Sequence, residues 1–133
     1  MLTLSDATQI LGGNVSSSQN GTVPSGQSTA FTMCQYSSLD MNRSLNLLVR
    51  QSSSAEEAAA IYGQAKKNAP IMSGIAVQDV PGLGDGAFWI ADGFSQLNIL
   101  YKDRWIMISV LGLQSDDRLG LARAAAARML QRL

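Results

Sequence analysis

Apolar residues recur along this chain at two spacings, one helical and one strand-like. Leu4, Ala7, Ile10 and Leu11 fall on one helical face of residues 4–13. Thr3 or Ser5 can cap that helix, Asp6 suits its positive end, and Gly12 supplies a left-handed stop. Residues 16–28 are mostly Ser, Gly, Gln and Asn around Pro24, without an apolar period, and read as a flexible loop. Residues 29–36 read as a strand with residues 45–50 as its hairpin partner. In the second of these, Leu45, Leu47 and Val49 alternate with Asn46, Leu48 and Arg50, which predicts a half-buried sheet. Ser54-Ala55-Glu56-Glu57 is a capping box, in which Ser54 caps a helix and Glu57 reaches back to the cap's own amide. Ala58, Ile61, Tyr62, Ala65 and Ala69 then give a small-residue face, and the helix runs to about Asn68 before Pro70 ends it.

The second half repeats this order. Ile75, Val77 and Asp79 begin a strand, residues 80–86 interrupt it, and the pattern resumes over residues 87–91. Residues 97–101 and 105–111 form a hairpin about Lys102-Asp103-Arg104. The 105–111 strand is apolar on both faces, so it is predicted to be central and covered on both sides. Ser115-Asp116-Asp117 starts the last helix, whose buried stripe is Leu119, Ala122, Ala126, Met129 or Leu130, and Leu133. Strand, hairpin, strand and Ser-capped, Ala-rich helix thus occur once in residues 29–68 and again in residues 87–133. The predicted class is α+β: an antiparallel sheet of about five strands, two longer helices packed on one face, and a short N-terminal helix.

Composition narrows the function. At 133 residues the chain suits a single domain. Ten basic and ten acidic residues cancel, so the basic excess that phosphate contacts demand is missing and nucleic acid is not an expected partner. No apolar run reaches the roughly 20 residues that span a bilayer, so no transmembrane segment is expected. Residues 1–6 lack the basic and long apolar regions of a signal peptide. Two readings stay open: a cytoplasmic protein, or an exported one whose signal lies ahead of Met1. Charged residues are only 15% and the polar segments are rich in Ser, Gln, Asn and Thr, which favours export to the envelope or periplasm.

There is no histidine, so Ser-His-Asp and Cys-His catalysis and His-ligated zinc or haem are impossible. The lone Cys34 cannot form an internal disulfide or a thiolate metal site within one chain, and in a strand-like run it reads as a small core hydrophobe. Asp79 and Asp85 do not fit a calcium loop. No enzyme activity, metal or cofactor is expected. Three features carry alternative readings. Residues 81–89 contain Pro81, Gly82, Leu83, Gly84 and Asp85, and are either a rigid turn or a loop that presents Leu83 and Trp89 to a partner; the turn is the expectation. Trp89, Phe94, Tyr101 and Trp105 are core aromatics or the wall of a ligand groove. Arg118, Arg123, Arg128 and Arg132 spread over a solvated face of the last helix. Leu83, Asp85, Trp89, Tyr101 and Trp105 are therefore the candidate ligand or partner surface.

The helix ending in Leu11-Gly12, the Cys34-Gln35-Tyr36 strand, the Ala-rich middle helix, the run Val-Pro-Gly-Leu-Gly-Asp-Gly-Ala-Phe-Trp at residues 80–89, the Leu-Asn-Ile-Leu strand and the final Leu-Ala-Arg-Ala-Ala helix resemble small bacterial lipoprotein-type domains of unknown function. Those domains often carry a second cysteine, which this chain lacks. The resemblance implies an envelope location and a binding role, and it brings no catalytic residues with it. The leading expectation is a non-catalytic binding or accessory domain of the bacterial cell envelope, taking a protein partner or a small apolar ligand, as a monomer or weak homodimer. The alternatives are an intracellular module that self-associates through a sheet edge or helix face, and a carboxylate-dependent hydrolase.

Overall fold

The computed structural model describes residues 4–11, 15–25, 29–38, 43–74, 76–91, 95–111 and 115–131. In chain order these form α1 (Leu4–Leu11), β1 (Val15–Ser25), β2 (Thr29–Ser38), β3 (Ser44–Gln51), α2 (Ala55–Ser73), β4 (Gln78–Asp79), β5 (Gly86–Ile90), β6 (Gln96–Tyr101), β7 (Arg104–Leu111) and α3 (Ser115–Gln131). All strand pairs are antiparallel, in the order β1-β2-β3-β7-β6-β5-β4. The α+β class, the antiparallel sheet and the three helices, two of them long, agree with the pattern reading. The sheet is larger than the five strands expected, with six strands of five or more residues and the two-residue β4.

The additional strand is β1. Residues 16–28 read as a loop because they lack apolar alternation, yet Val15–Ser25 runs along β2 as an edge strand; residues 26–28 lie outside the described residues. An edge strand needs only one hydrogen-bonded neighbour, and it tolerates Pro24 and the bulge between Gln19 and Gly21. Of the strand expected at residues 75–79, Gln78–Asp79 forms and residues 76–77 do not; Ile75 lies outside the described residues.

Side-chain alternation divides the sheet into two faces. On the inner face, Cys34, Leu47, Ile108, Leu97 and Trp89 form one cross-strand row, and Val49, Ile106, Ile99 and Ala87 form the next. These residues share one buried cluster with Ala7 and Ile10 of α1 and with Ala122, Ala125, Ala126 and Met129 of α3. The last helix therefore buries the stripe expected of it, with Leu119 and Leu130 packed at its margin; Leu133 lies outside the described residues.

Helix α2 takes the other face, so the two longer helices do not share one. Tyr62 tilts against Phe88 with ring centroids 5.3 Å apart, and a Cβ on Gly86 would lie 3.5 Å from the Tyr62 hydroxyl. Lys66 pairs at 2.6 Å with Asp79, which stands opposite Phe88 in the register. Gly86 and Phe88 point away from Ala87 and Trp89, which belong to the α1–α3 cluster. The sequence signal was the consecutive run Ala87-Phe88-Trp89, in which all three residues are buried. Strand β5 is covered on both sides, as is β6, where Leu97, Asn98 and Ile99 are buried in succession. Strand β7 is central, as expected, yet only Ile106, Ile108 and Val110 are fully enclosed; Trp105, Met107, Ser109 and Leu111 are half-buried.

Local signals in α2 are met in part. The Ser54 hydroxyl accepts from the Glu57 amide at 3.1 Å. The Glu57 carboxylate accepts from the Ser53 hydroxyl rather than reaching the Ser54 amide, so half of the capping box forms. Pro70 does not end the helix. It lies inside the last turn, which closes at Gly74, a left-handed cap whose amide donates to the Pro70 carbonyl at 2.9 Å. A proline removes only its own amide bond, so one more turn past it survives where its end is well capped.

Candidate functional site

The Gly-rich segment is built as a turn. Gly82 and Gly84 have φ of +84° and +55°. The Asp85 amide donates to the Leu100 carbonyl at 2.7 Å. The Asp85 carboxylate accepts from the Lys102 amide at 2.8 Å, tying this turn to the left-handed Lys102 of the β6–β7 hairpin. Leu83 packs against the α1–α3 cluster, as does Tyr101. Lys102 places its ammonium 4.9 Å from the Tyr101 ring centroid.

The two tryptophans point to opposite faces. Trp89 is buried in the inner cluster, whereas Trp105 lies half-buried on the outer face, opposite Leu100. Leu83, Asp85, Trp89, Tyr101 and Trp105 therefore do not line one concavity. Of the five, only Trp105 stands on the outer face beside the concavity described next; Phe94 lies outside the described residues.

The concavity occupies the part of the outer sheet face formed by β2, β3, β7 and β6. It encloses about 220 Å³ and is lined by Met33, Gln35, Asn46, Leu48, Gln96, Met107 and Ser109, with Cys34 and Leu47 beneath. The strand register explains its chemistry. Met33, Leu48, Met107 and Asn98 form one cross-strand row, and Gln35, Asn46, Ser109 and Gln96 form the next. An apolar row thus runs beside a row of amides and a hydroxyl, and no lining side chain is an acid, lysine or arginine; Cys34, at the floor, is the one thiol. Strict alternation along each strand hid this site from the sequence. Each strand contributes one or two unremarkable polar residues, and only the pairing of four strands brings them into line.

A hydrogen-bond chain orients one end of the row. The Trp105 indole, which can only donate, donates to Asn98 Oδ1 at 3.1 Å. Asn98 is 1% exposed, and its Nδ2 donates to Gln96 Oε1 at 3.3 Å. Ser95, immediately before Gln96, has φ +44° and accepts from the Arg118 guanidinium at 2.9 Å, fixing the entry to β6. Arg118 is in this way engaged with the sheet rather than solvated.

Two buried titratable groups lie close together on β2, Cys34 at the floor of the concavity and Tyr36. Burial pushes the Cys34 thiol above its usual range, against a smaller opposing effect of its hydrogen bond with Tyr36. Burial, and then the neighbouring Cys34 and Asp6, raise the Tyr36 phenol. Cys34 is 6% exposed and part of the core cluster. Asp6 of α1 pairs with Arg128 of α3 at 3.1 Å, giving a second of the α3 arginines a structural partner. Among the described residues, no group of three or more Cys, Asp or Glu side chains could hold a metal ion. No helix among them is long and apolar enough to cross a membrane.

No family model and no curated protein matches this chain. Its fold is similar to that of the extracellular domain of PknH from Mycobacterium tuberculosis, with a TM-score of 0.66 over 98% of this chain and 93% of that one, at 10% sequence identity.

Proposed function

We propose that this chain is a non-catalytic binding or accessory domain of the bacterial cell envelope, with the outer-face concavity as its binding surface. The observation that carries the reading is the uncharged, half-apolar depression over β2, β3, β7 and β6. Ligand sites are concave and largely apolar with a few placed polar groups, which is the make-up of this depression. The likeness in fold to an extracellular domain supports an envelope location, as does the resemblance to lipoprotein-type domains. Self-association through the edge strand β1 is the second reading, because that strand is eleven residues long. Pro24 and the bulge at Gln19/Gly21 are devices that blunt edge pairing, and they rank it second.

The test is to tag the native gene product, fractionate the cells, and compare peroxide oxidation of Met33 and Met107 in the recovered fraction with that in the purified protein. The expected result is recovery in the envelope fraction with both methionines protected. Recovery in the cytoplasm would overturn the location, and equal oxidation in the two samples would overturn the binding surface.

A further inference from the structure

We infer that the concavity binds a neutral saccharide; this deepens the proposed binding role and rests on it. The first ground is the absence of charge. Of the nine lining residues only Cys34, at the floor, can ionise, and burial favours its neutral thiol, so the site offers no charge to compensate a buried carboxylate, phosphate or ammonium. A neutral occupant is required.

The second ground is the hydrogen-bonding row. Gln35, Asn46, Ser109 and Gln96 stand side by side on four adjacent strands. Amides and hydroxyls both donate and accept, as sugar hydroxyls do. No hydrogen bond among the described residues occupies the side chains of Gln35, Asn46 or Ser109. At Gln96 the polarity is set. The donor-only indole of Trp105 fixes Asn98 Oδ1 as acceptor, Asn98 Nδ2 then donates to Gln96 Oε1, and the Gln96 amide nitrogen is left to donate to an occupant. The buried Asn98 and the Arg118–Ser95 bond hold that group in place, so little of its ordering cost falls on binding.

The third ground is the adjoining row of Met33, Leu48 and Met107. A pyranose has a C–H face and a hydroxyl rim, and two parallel rows, one apolar and one polar, match that division. A peptide is the less suitable occupant. The backbone groups of these interior strands are engaged in ladders on both sides, leaving no edge for strand addition. The volume of about 220 Å³ admits one sugar ring rather than a drug-sized molecule.

The experiment is an amide-resolved NMR titration of the whole chain with glucose, mannose and N-acetylglucosamine, each to millimolar concentration. An uncharged tripeptide of alanine serves as the peptide probe. The expected result is saccharide-dependent shifts centred on Leu48, Gln96, Met107 and Ser109, with affinity falling about tenfold in Gln96→Leu, the loss of one well-made hydrogen bond. Because Gln96→Leu also strips Asn98 of its acceptor, Ser109→Ala and Asn46→Ala serve as variants outside that chain and should weaken binding in the same direction. Shifts from the tripeptide alone at these amides would overturn the saccharide and leave the binding surface standing. Silence with every probe would overturn both, and saccharide shifts elsewhere on the protein would overturn this site.

Discussion

Replacing Gly84 with alanine tests whether the Gly-rich turn docks as described. A Cβ at that position would lie 2.5 Å from the Leu100 carbonyl oxygen and 2.9 Å from Ile99 Cγ2, at a φ of +55°. Two costs combine. The left-handed conformation costs an L-residue about 1–2 kcal/mol, and forcing atoms into an occupied site costs typically ~1–3 kcal/mol. Removing a glycine from the unfolded chain returns about 0.4–1 kcal/mol, so Gly84→Ala should destabilise by roughly 2–4 kcal/mol. Gly82 provides the control. Its φ is +84°, but nothing lies within 4 Å of its would-be Cβ. Gly82→Ala therefore keeps the conformational cost without the overlap and should lose at most about 1.6 kcal/mol. Urea unfolding separates the two: with an m-value of about 2 kcal/mol/M, Gly84→Ala lowers the midpoint by roughly 1–2 M and Gly82→Ala by at most about 0.8 M. Coincident midpoints for the two variants would refute the contact with β6 and release the loop for the recognition role.

Ser54→Ala should cost about 1 kcal/mol, because the hydroxyl that accepts from the Glu57 amide is the half of the capping box that forms; an unchanged denaturation midpoint would show that the cap contributes nothing. Cys34 should react with a thiol reagent only as fast as the protein opens, since it is buried and its thiolate is disfavoured. Stoichiometric labelling within seconds, without denaturant, would count against the core placement. Tyr62 is pushed up to about 12, first by burial and then by Asp79. Its folded value lies above the unfolded value of about 10, so its contribution is complete below pH ~10 and is lost as pH rises toward about 12. Tyr62→Phe should flatten that part of an alkaline stability profile; an unaltered profile would assign the decline to other groups.

The elements that the sequence disclosed are those whose physics is local. The Ser54 cap, the alternating β3, the turn about Lys102 and the alanine stripe of α3 can each be read from adjacent residues. β1 could not, because an edge strand of Ser, Thr and Asn owes its conformation to the neighbouring β2 rather than to its own pattern. The side taken by α2 was legible only in Phe88, one residue that breaks the alternation of β5. The aromatic candidates do not share one face, for a related reason. Trp89 and Trp105 were judged by residue type, whereas their faces depend on strand register, which sends one inward and the other outward. The concavity is assembled from four strands, and its polar row exists only once β3 has paired with β7.

That seam has a consequence for the order of events during synthesis. The β1-β2-β3 meander can form early, but its last strand, β3, has no second neighbour until β7 emerges, with Ser44 meeting Leu111 and Gln51 meeting Arg104. Helix α1 waits longer still, since Asp6 finds its partner Arg128 at a sequence separation of 122. Contacts this distant are slow to close. A nascent chain stalled before β7 would expose Leu45, Leu47 and Val49 as an unfinished strand. The vulnerability of the first half to proteolysis should accordingly drop abruptly when the residues of β7 and α3 become available.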